Sequence, residues 1–176
     1  METNIAFWQE SVTFPLLTTL VLIPMAAMAA ILILRSTSIA VTLGFAATLL
    51  DLFLSFYMLS LFDPEKAGIQ FAEQERFFGF TYYSVGVDGL SVLFIPLTTI
   101  LVTLVLVYKA TTRRTFDWKF LACLLGYEAI LIGAFTALNI AQFWLWTFLE
   151  LVPVILLTIH SGTGHKKLWV IAHLLK

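Results

Sequence analysis

Apolar residues dominate five long stretches of this chain, and most charged residues lie in the segments between them. The stretches cover residues 15–34, 39–61, 90–108, 120–138 and 140–159. Each holds about 20 residues, the length that crosses a ~30 Å hydrocarbon layer at 1.5 Å per residue. Another apolar run covers 168–176. The pattern predicts an all-α integral membrane protein: one membrane domain over residues 1–176, with five transmembrane helices and the start of a sixth.

The longest polar segment, 62–89, separates the second and third stretches. It contains an aromatic run, Phe77 to Tyr83. Aromatic rings favour the headgroup level of a bilayer, so we expect an interfacial hairpin or loop. The first 14 residues contain Glu2 and Glu10 but no Lys or Arg, which is not the pattern of a secretion signal. The first stretch is therefore predicted to be a retained span.

Basic residues are distributed unequally between the two sides that this topology defines. Seven lie in the segments that join spans 1–2, 3–4 and 5–6: Arg35, Lys109, Arg113, Arg114, Lys119, Lys166 and Lys167. The opposite side carries Lys66 and Arg76 beside the acidic residues Asp63, Glu65, Glu73 and Glu75. Because basic loops stay in the cytoplasm or its organellar equivalent, the N-terminus and the 62–89 loop are predicted to be outside.

Composition agrees with a membrane location and narrows the functions. Only 12% of the residues are charged, about half the usual share in soluble domains, and mean hydropathy is +0.96. A net charge of −1 gives no sign of a nucleic-acid partner. No motif for a nucleotide, flavin or iron–sulfur cluster occurs. The single cysteine, Cys123, permits no internal disulfide or thiolate metal site and is expected to be a small core residue. We expect no cofactor in this chain.

Two carboxyl groups inside predicted spans are the main candidates for chemistry, because a charge at mid-bilayer is costly. Glu128 lies nine residues after Lys119 and Glu150 ten residues before His160, about 13 and 15 Å from the basic side at 1.5 Å per residue. Their helices are antiparallel and almost directly connected, so both carboxyls are expected in one layer, where a proton could be shared or relayed. Pro153 frees a backbone carbonyl near Glu150. The alternative is that each Glu is neutral and serves packing.

Three further groups have more evenly balanced interpretations. Asp51 is near the middle of the second span without an obvious partner, so a structural hydrogen bond is as reasonable as a role in a proton pathway. Asp88 precedes the third span, where a carboxylate can cap free N–H groups. His173, in the sixth span, could form a neutral hydrogen bond or titrate near neutral pH. The three histidines are too dispersed for a metal site.

Four segments together resemble the antiporter-like, proton-translocating subunits of respiratory complex I and of related photosynthetic NADH-dehydrogenase-like complexes, closest to the subunit M, chain 4 or D type. They are 84–91 (Ser-Val-Gly-Val-Asp-Gly-Leu-Ser), 97–99 (Leu-Thr-Thr), 148–154 (Phe-Leu-Glu-Leu-Val-Pro-Val) and 164–168 (Gly-His-Lys-Lys-Leu). In that family Trp-Glu usually occupies the place of Thr147-Phe148, some members have a second Glu at the place of Glu150, and many have Lys at the place of His173.

The resemblance implies a membrane-arm subunit that supplies part of a proton path in a redox-driven NADH/ferredoxin:quinone oxidoreductase-type complex. Glu150 would carry the proton, Glu128 would relay it and His173 would tune it. Electron transfer would occur on other chains, through which alone quinone would be contacted. Partners would be other membrane subunits and lipid, in a bacterial inner membrane or a thylakoid or organellar inner membrane.

The family's members have many more spans, with key lysines on the later ones. The resemblance therefore implies a fragment of a longer subunit, or a split or truncated relative of one. Two other functions stay open on the residues alone. One is a non-pumping structural or assembly subunit, and the other is a subunit of a related cation/proton antiporter or membrane hydrogenase complex.

Overall fold

Five long helices make up most of the chain in this computed structural model, which describes residues 8–9, 14–66, 68–77, 81–112 and 117–161. In chain order the elements are β1 (Trp8–Gln9), α1 (Leu16–Leu34), α2 (Thr37–Leu61), β2 (Ile69–Phe77), β3 (Thr81–Val87), α3 (Ser91–Thr111), α4 (Trp118–Thr136) and α5 (Ile140–Ser161). By length and composition, each of the five helices could cross a membrane. The prediction of five transmembrane helices is thus confirmed, while the start of the sixth, 168–176, lies outside the described residues.

A small sheet is formed mainly by the segment between α2 and α3. Strands β2 and β3 pair in antiparallel fashion from Gln70↔Val87 to Phe77↔Thr81, and the two residues of β1 run parallel to β2. A bulge interrupts β2 between Gln70 and Glu73, with the buried Phe71 at a positive φ of 54°. Such a bulge bends a strand and re-aims its side chains. The hairpin expected in 62–89 is therefore a twisted ribbon packed on the helices.

Helix α4 is the centre of the bundle and packs against each of the other four helices. Two glycines bring it close to its neighbours. A Cβ at Gly126 would lie 2.7 Å from Met28 Sδ on α1, and one at Gly133 would overlap the Trp146 indole on α5. Small residues at such contacts let membrane helices approach closely, which strengthens their van der Waals packing.

Local polar groups fix where the helices begin and end. At the end of α1, Arg35 takes a left-handed conformation, φ 51°, and its N–H bonds to the Ile31 carbonyl, so that α2 follows after a two-residue turn. Asn139 Oδ1 accepts from the Ala141 N–H at 2.9 Å at the start of α5. Helix α4 ends at Thr136, two residues before the predicted span does, because Ala137 is extended and bridges to Val85 of β3.

The buried apolar side chains form two separate clusters at different heights in the bundle. The first is at the end that carries the sheet, here called the sheet end: Leu16, Leu17, Leu20, Val21, Met58, Phe71, Val85, Val87, Val92, Ile95 and Ile132. The second is toward the opposite end: Ala27, Ile31, Ala40, Ala47, Val102, Leu106, Leu121, Ala122, Leu124 and Leu125. Between the two clusters, several buried side chains of α2, α3 and α4 are polar.

Candidate functional site

A buried polar layer lies between the two apolar clusters. Its members are Thr48, Asp51 and Ser55 on α2, Thr98 and Thr99 on α3, and Glu128 on α4, and each is at most 5% exposed. Counted from the helix ends at the sheet end, Asp51 is ten residues and Glu128 eight residues inside, about 15 and 12 Å at 1.5 Å per residue. The polar layer is thus halfway along helices of bilayer length.

Asp51 and Glu128 lie in this layer on α2 and α4, two helices that pack against each other. Both side chains are fully buried, at 0% exposure, and their carboxyl groups are close enough to interact electrostatically. None of their four oxygens accepts a hydrogen bond from the described part of the chain. The sequence offered no partner for Asp51; the fold supplies one, because α2 packs on α4 as well as on its sequence neighbours.

Hydroxyl groups flank the two carboxyls. Thr48, Asp51 and Ser55 are spaced by three and four residues, which places them on one face of α2. Ser55 Oγ and Thr99 Oγ1 form a hydrogen bond of 2.9 Å that joins α2 to α3. This spacing was the available signal for the layer, and the sequence reasoning missed it by treating Asp51 alone.

Glu150 has a different environment from Glu128. It is half-buried on α5, and its Oε1 accepts a hydrogen bond of 3.1 Å from the Tyr127 hydroxyl on α4. Residues 127 and 128 point about 100° apart around the helix, so Glu128 is directed to α2 while Tyr127 is directed to α5. The two glutamates lie at similar depths along their helices, as expected from their spacing. Their side chains take part in different helix contacts: Glu128 is directed to α2, and Glu150 bonds to Tyr127. The buried Pro153 follows on α5. It has no N–H to donate to the Leu149 carbonyl.

The segment 84–91 forms the connection from β3 to α3. Asp88 Oδ1 accepts from the N–H groups of Ser91, at 2.7 Å, and Leu90, at 3.2 Å, and so caps the start of α3. These hydrogen bonds, that from Ser91 foremost, lower the pKa of Asp88. A Cβ at Gly86 would overlap Ile69 and lie 2.9 Å from Leu138 Cδ1. Only glycine fits there without displacing its neighbours.

Glu73 of β2 holds the start of α1, a contact that the sequence gave no reason to expect. Its carboxylate accepts from the N–H groups of Leu17, at 2.7 Å, and Thr18, at 3.0 Å, and from the Thr18 hydroxyl. Pro15 at the N-cap makes no side-chain cap, so an acid from another element takes that role. Burial raises the pKa of the neighbouring Tyr83, opposed by its hydrogen bond with Thr18 and reinforced by the Glu73 charge.

The sheet is also joined to the other helices. The Gln70 amide exchanges hydrogen bonds with the backbone of Asp63, just after α2, at 2.6 and 3.1 Å. The Leu138 N–H, between α4 and α5, donates to the Ser84 carbonyl at 3.1 Å, and the Ser84 N–H donates to Gln142 Oε1 at 3.3 Å. One small sheet thereby contacts the ends of all five helices.

Two sequence expectations cannot be compared with this geometry. His173 and the basic turn at 164–168 lie outside the described residues, so the role suggested for His173 stays a prediction. In the parts of the chain that the structure does describe, no three His, Cys, Asp or Glu side chains are grouped as a metal site would require.

The chain is similar to subunits of NADH-quinone oxidoreductase, NADH-ubiquinone oxidoreductase and F420H2 dehydrogenase. It is 35% identical over 111 residues to "NADH-quinone oxidoreductase subunit M" of Rhodobacter capsulatus, a match that covers 63% of this chain and 22% of the relative. It is 29% identical over 142 residues to "F(420)H(2) dehydrogenase subunit M" of Methanosarcina mazei, covering 80% and 29%. With "NADH-ubiquinone oxidoreductase chain 4" of Mycosarcoma maydis the identity is 28% over 115 residues, covering 65% and 24%.

These relatives confirm the resemblance to the subunit M or chain 4 type that the four segments indicated. The chain spans only about a fifth to three tenths of the length of the relatives it matches. No family model matches the chain.

Proposed function

We propose that this chain is part of a membrane-arm subunit that carries a section of a proton-translocation path in a redox-driven NADH/ferredoxin:quinone oxidoreductase-type complex. The observation that carries the proposal is Glu128, a fully buried carboxyl halfway along the central helix of an apolar bundle. Ionisable groups at such depth are costly and mark ion or proton pathways in membrane proteins. The similarity to subunits M and chain 4 supports the same function.

The environments of the carboxyls suggest how the path is divided. Glu128, fully buried on the helix that packs against the other four, is proposed as the main proton-binding group. Glu150 is half-buried on the outer helix α5 and bonded to Tyr127, which suits a group that passes protons to a neighbouring subunit. This reverses the emphasis that the sequence placed on Glu150. His173 keeps the tuning role that the resemblance implies.

The electron-transfer steps are assigned to other chains of the complex. The names of the relatives give different electron donors, NADH and F420H2, so the segment that they share with this chain does not identify a donor. Quinone is proposed to be contacted only through other subunits, with further membrane subunits and lipid around this one. The membrane is then an energy-coupling one: a bacterial inner membrane, a thylakoid or an organellar inner membrane.

The test is the number of protons translocated per electron by the parent complex in sealed vesicles, with Glu128→Gln and Glu150→Gln. Both amides keep the shape of the side chain and cannot release a proton. We expect Glu128→Gln to reduce translocation per electron most, while quinone reduction persists in vesicles made permeable to protons. Asp88→Asn is the matched control, since it removes a carboxyl that caps a helix outside the polar layer.

A structural or assembly subunit is the alternative. The Tyr127–Glu150 hydrogen bond joins α4 to α5 and would serve such a role without any proton transfer. If both Gln variants translocate as many protons per electron as the parent and only the amount of assembled complex falls, the structural function is correct. A cation/proton antiporter or membrane hydrogenase subunit would instead couple the same carboxyls to another partner reaction.

A further inference from the structure

Asp51 and Glu128 break a general rule about buried polar atoms. The large majority of buried side-chain polar atoms in proteins have a hydrogen-bond partner. Here two carboxyl groups, both at 0% exposure, direct four oxygens into the bundle without accepting a bond from any described residue. They are on different helices, α2 and α4, yet close enough to interact electrostatically. Two acids brought together in this way require a positive charge or a proton between them.

No basic side chain lies at this depth in the described helices. Besides the pair, the titratable side chains of α1 to α5 over their described residues are Tyr57, Tyr108, Lys109, Lys119, Cys123, Tyr127, Glu150 and His160. Lys109 is in the last turn of α3 and Lys119 in the first turn of α4, both at the end away from the sheet. Helix α1 contributes none. Among the residues that the structure describes, the pair therefore has no cationic partner.

The nearby hydroxyls do not replace one. Thr48 donates to the Gly44 carbonyl at 3.0 Å. Ser55 and Thr99 form a hydrogen bond with each other at 2.9 Å, and each hydroxyl is also within hydrogen-bond distance of a backbone carbonyl of its own helix. With these protons used, two ionised carboxylates would repel each other in a setting of low dielectric constant. One of them must hold a proton for the fold to tolerate both.

We propose that Asp51 and Glu128 form a single proton-binding site in which the two carboxyls share one proton. The step that it performs is a proton transfer from the O–H of one carboxyl to a carboxylate oxygen of the other, so the pair keeps a charge of −1 while the proton moves between α2 and α4. Arrival of a second proton makes the pair neutral, and loss of it restores the charge. The use of this site in transport rests on the proposed function, whereas the sharing of the proton does not.

The first measurement is the infrared C=O band of protonated carboxyl groups in the purified parent complex, compared in H₂O and D₂O. Asp51→Asn and Glu128→Gln are made singly and together. A shared proton predicts that each single variant shifts the band, because each removes the partner of the protonated group, and that the double variant abolishes it. Glu150→Gln should leave it in place. A band from Glu128 that is unchanged in Asp51→Asn would overturn the proposal, and so would its loss on adding sodium ions, which would mean that the site binds Na⁺.

The second measurement is proton translocation per electron in vesicles. One shared site predicts that the double variant loses no more than the more affected single variant, whereas two independent sites predict that the fold losses multiply. The exchange variant Asp51→Glu with Glu128→Asp keeps two carboxyls and should retain both the band and at least half of the translocation. If the band behaves as expected but translocation is unaffected in all variants, the shared proton stands and the transport function fails.

Discussion

The contact of Gly133 with Trp146 sets the distance between α4 and α5, and Gly133→Ala tests it. A Cβ at residue 133 would lie 2.7 and 2.8 Å from the Cδ2 and Cζ2 atoms of the indole, and would overlap a third ring atom. Extra methyl groups forced into tight packing cost about 1–3 kcal/mol, and a rigid ring places this site toward the upper value. The change also gains about 0.5–1 kcal/mol because alanine favours a helix over glycine. The net loss should be about 1–2 kcal/mol of unfolding free energy.

The matched control is Gly44→Ala on α2. Its new Cβ would meet Leu121 Cδ2 at 3.5 Å, an ordinary van der Waals distance. Only the helix preference then changes, so we expect a gain of about 0.5–1 kcal/mol. The two variants should therefore differ by about 2–3 kcal/mol, from the same chemical change on two helices of one bundle.

The assay is unfolding of the full chain in mixed micelles by increasing SDS, followed by circular dichroism. Trp146→Leu is also introduced into the parent chain and into Gly133→Ala. Without the indole ring, Gly133→Ala should no longer lower the unfolding free energy. The steric role of the indole is refuted if Gly133→Ala is as stable as Gly44→Ala, or if the loss of stability persists when the indole is absent.

Three further predictions concern the polar contacts. Glu73→Gln should lower the stability of the full chain by about 1 kcal/mol through weaker capping of α1, while the exposed Gln74→Glu should change it little in the same SDS titration. Asp88 has a lowered pKa, so its contribution to stability should be complete above the ordinary Asp pKa of about 3.9 and disappear as pH falls through the lower folded-state pKa. Asp88→Asn should remove that pH dependence, and an unchanged acid transition would refute the assignment. Tyr127→Phe should cost about 1 kcal/mol in the parent chain and nothing further in a Glu150→Leu background, if the hydrogen bond from Tyr127 to Glu150 is the cause.

The helices were predictable because their signal is local. A run of about 20 apolar residues has few alternatives to a membrane helix, and five such runs became five helices. The capping of α3 by Asp88 also follows from neighbours in sequence. The contact of Glu73 with α1 does not, since 56 residues separate Glu73 from Leu17.

The site was predicted only in part, for a physical reason. Sequence spacing gives the depth of a residue along its helix, which is why Glu128 and Glu150 were correctly expected at similar heights. It does not give the direction that each side chain takes around the axis relative to distant helices. That direction depends on how α2 packs against α4, two elements separated by the sheet and α3. The pairing of Asp51 with Glu128 therefore became visible only in the fold.

The sheet has a mechanical consequence for any opening of the bundle. Through Glu73, Gln70, Asp88 and Ser84 it ties together the ends of five helices, so separating any two of them there would break several hydrogen bonds at once. At the end opposite the sheet, the described residues contain no comparable set of hydrogen bonds between helices. There α1 and α2 are joined by a two-residue turn at Arg35. Any movement of the helices relative to one another should then pivot about the sheet end, with the largest displacements at the opposite end.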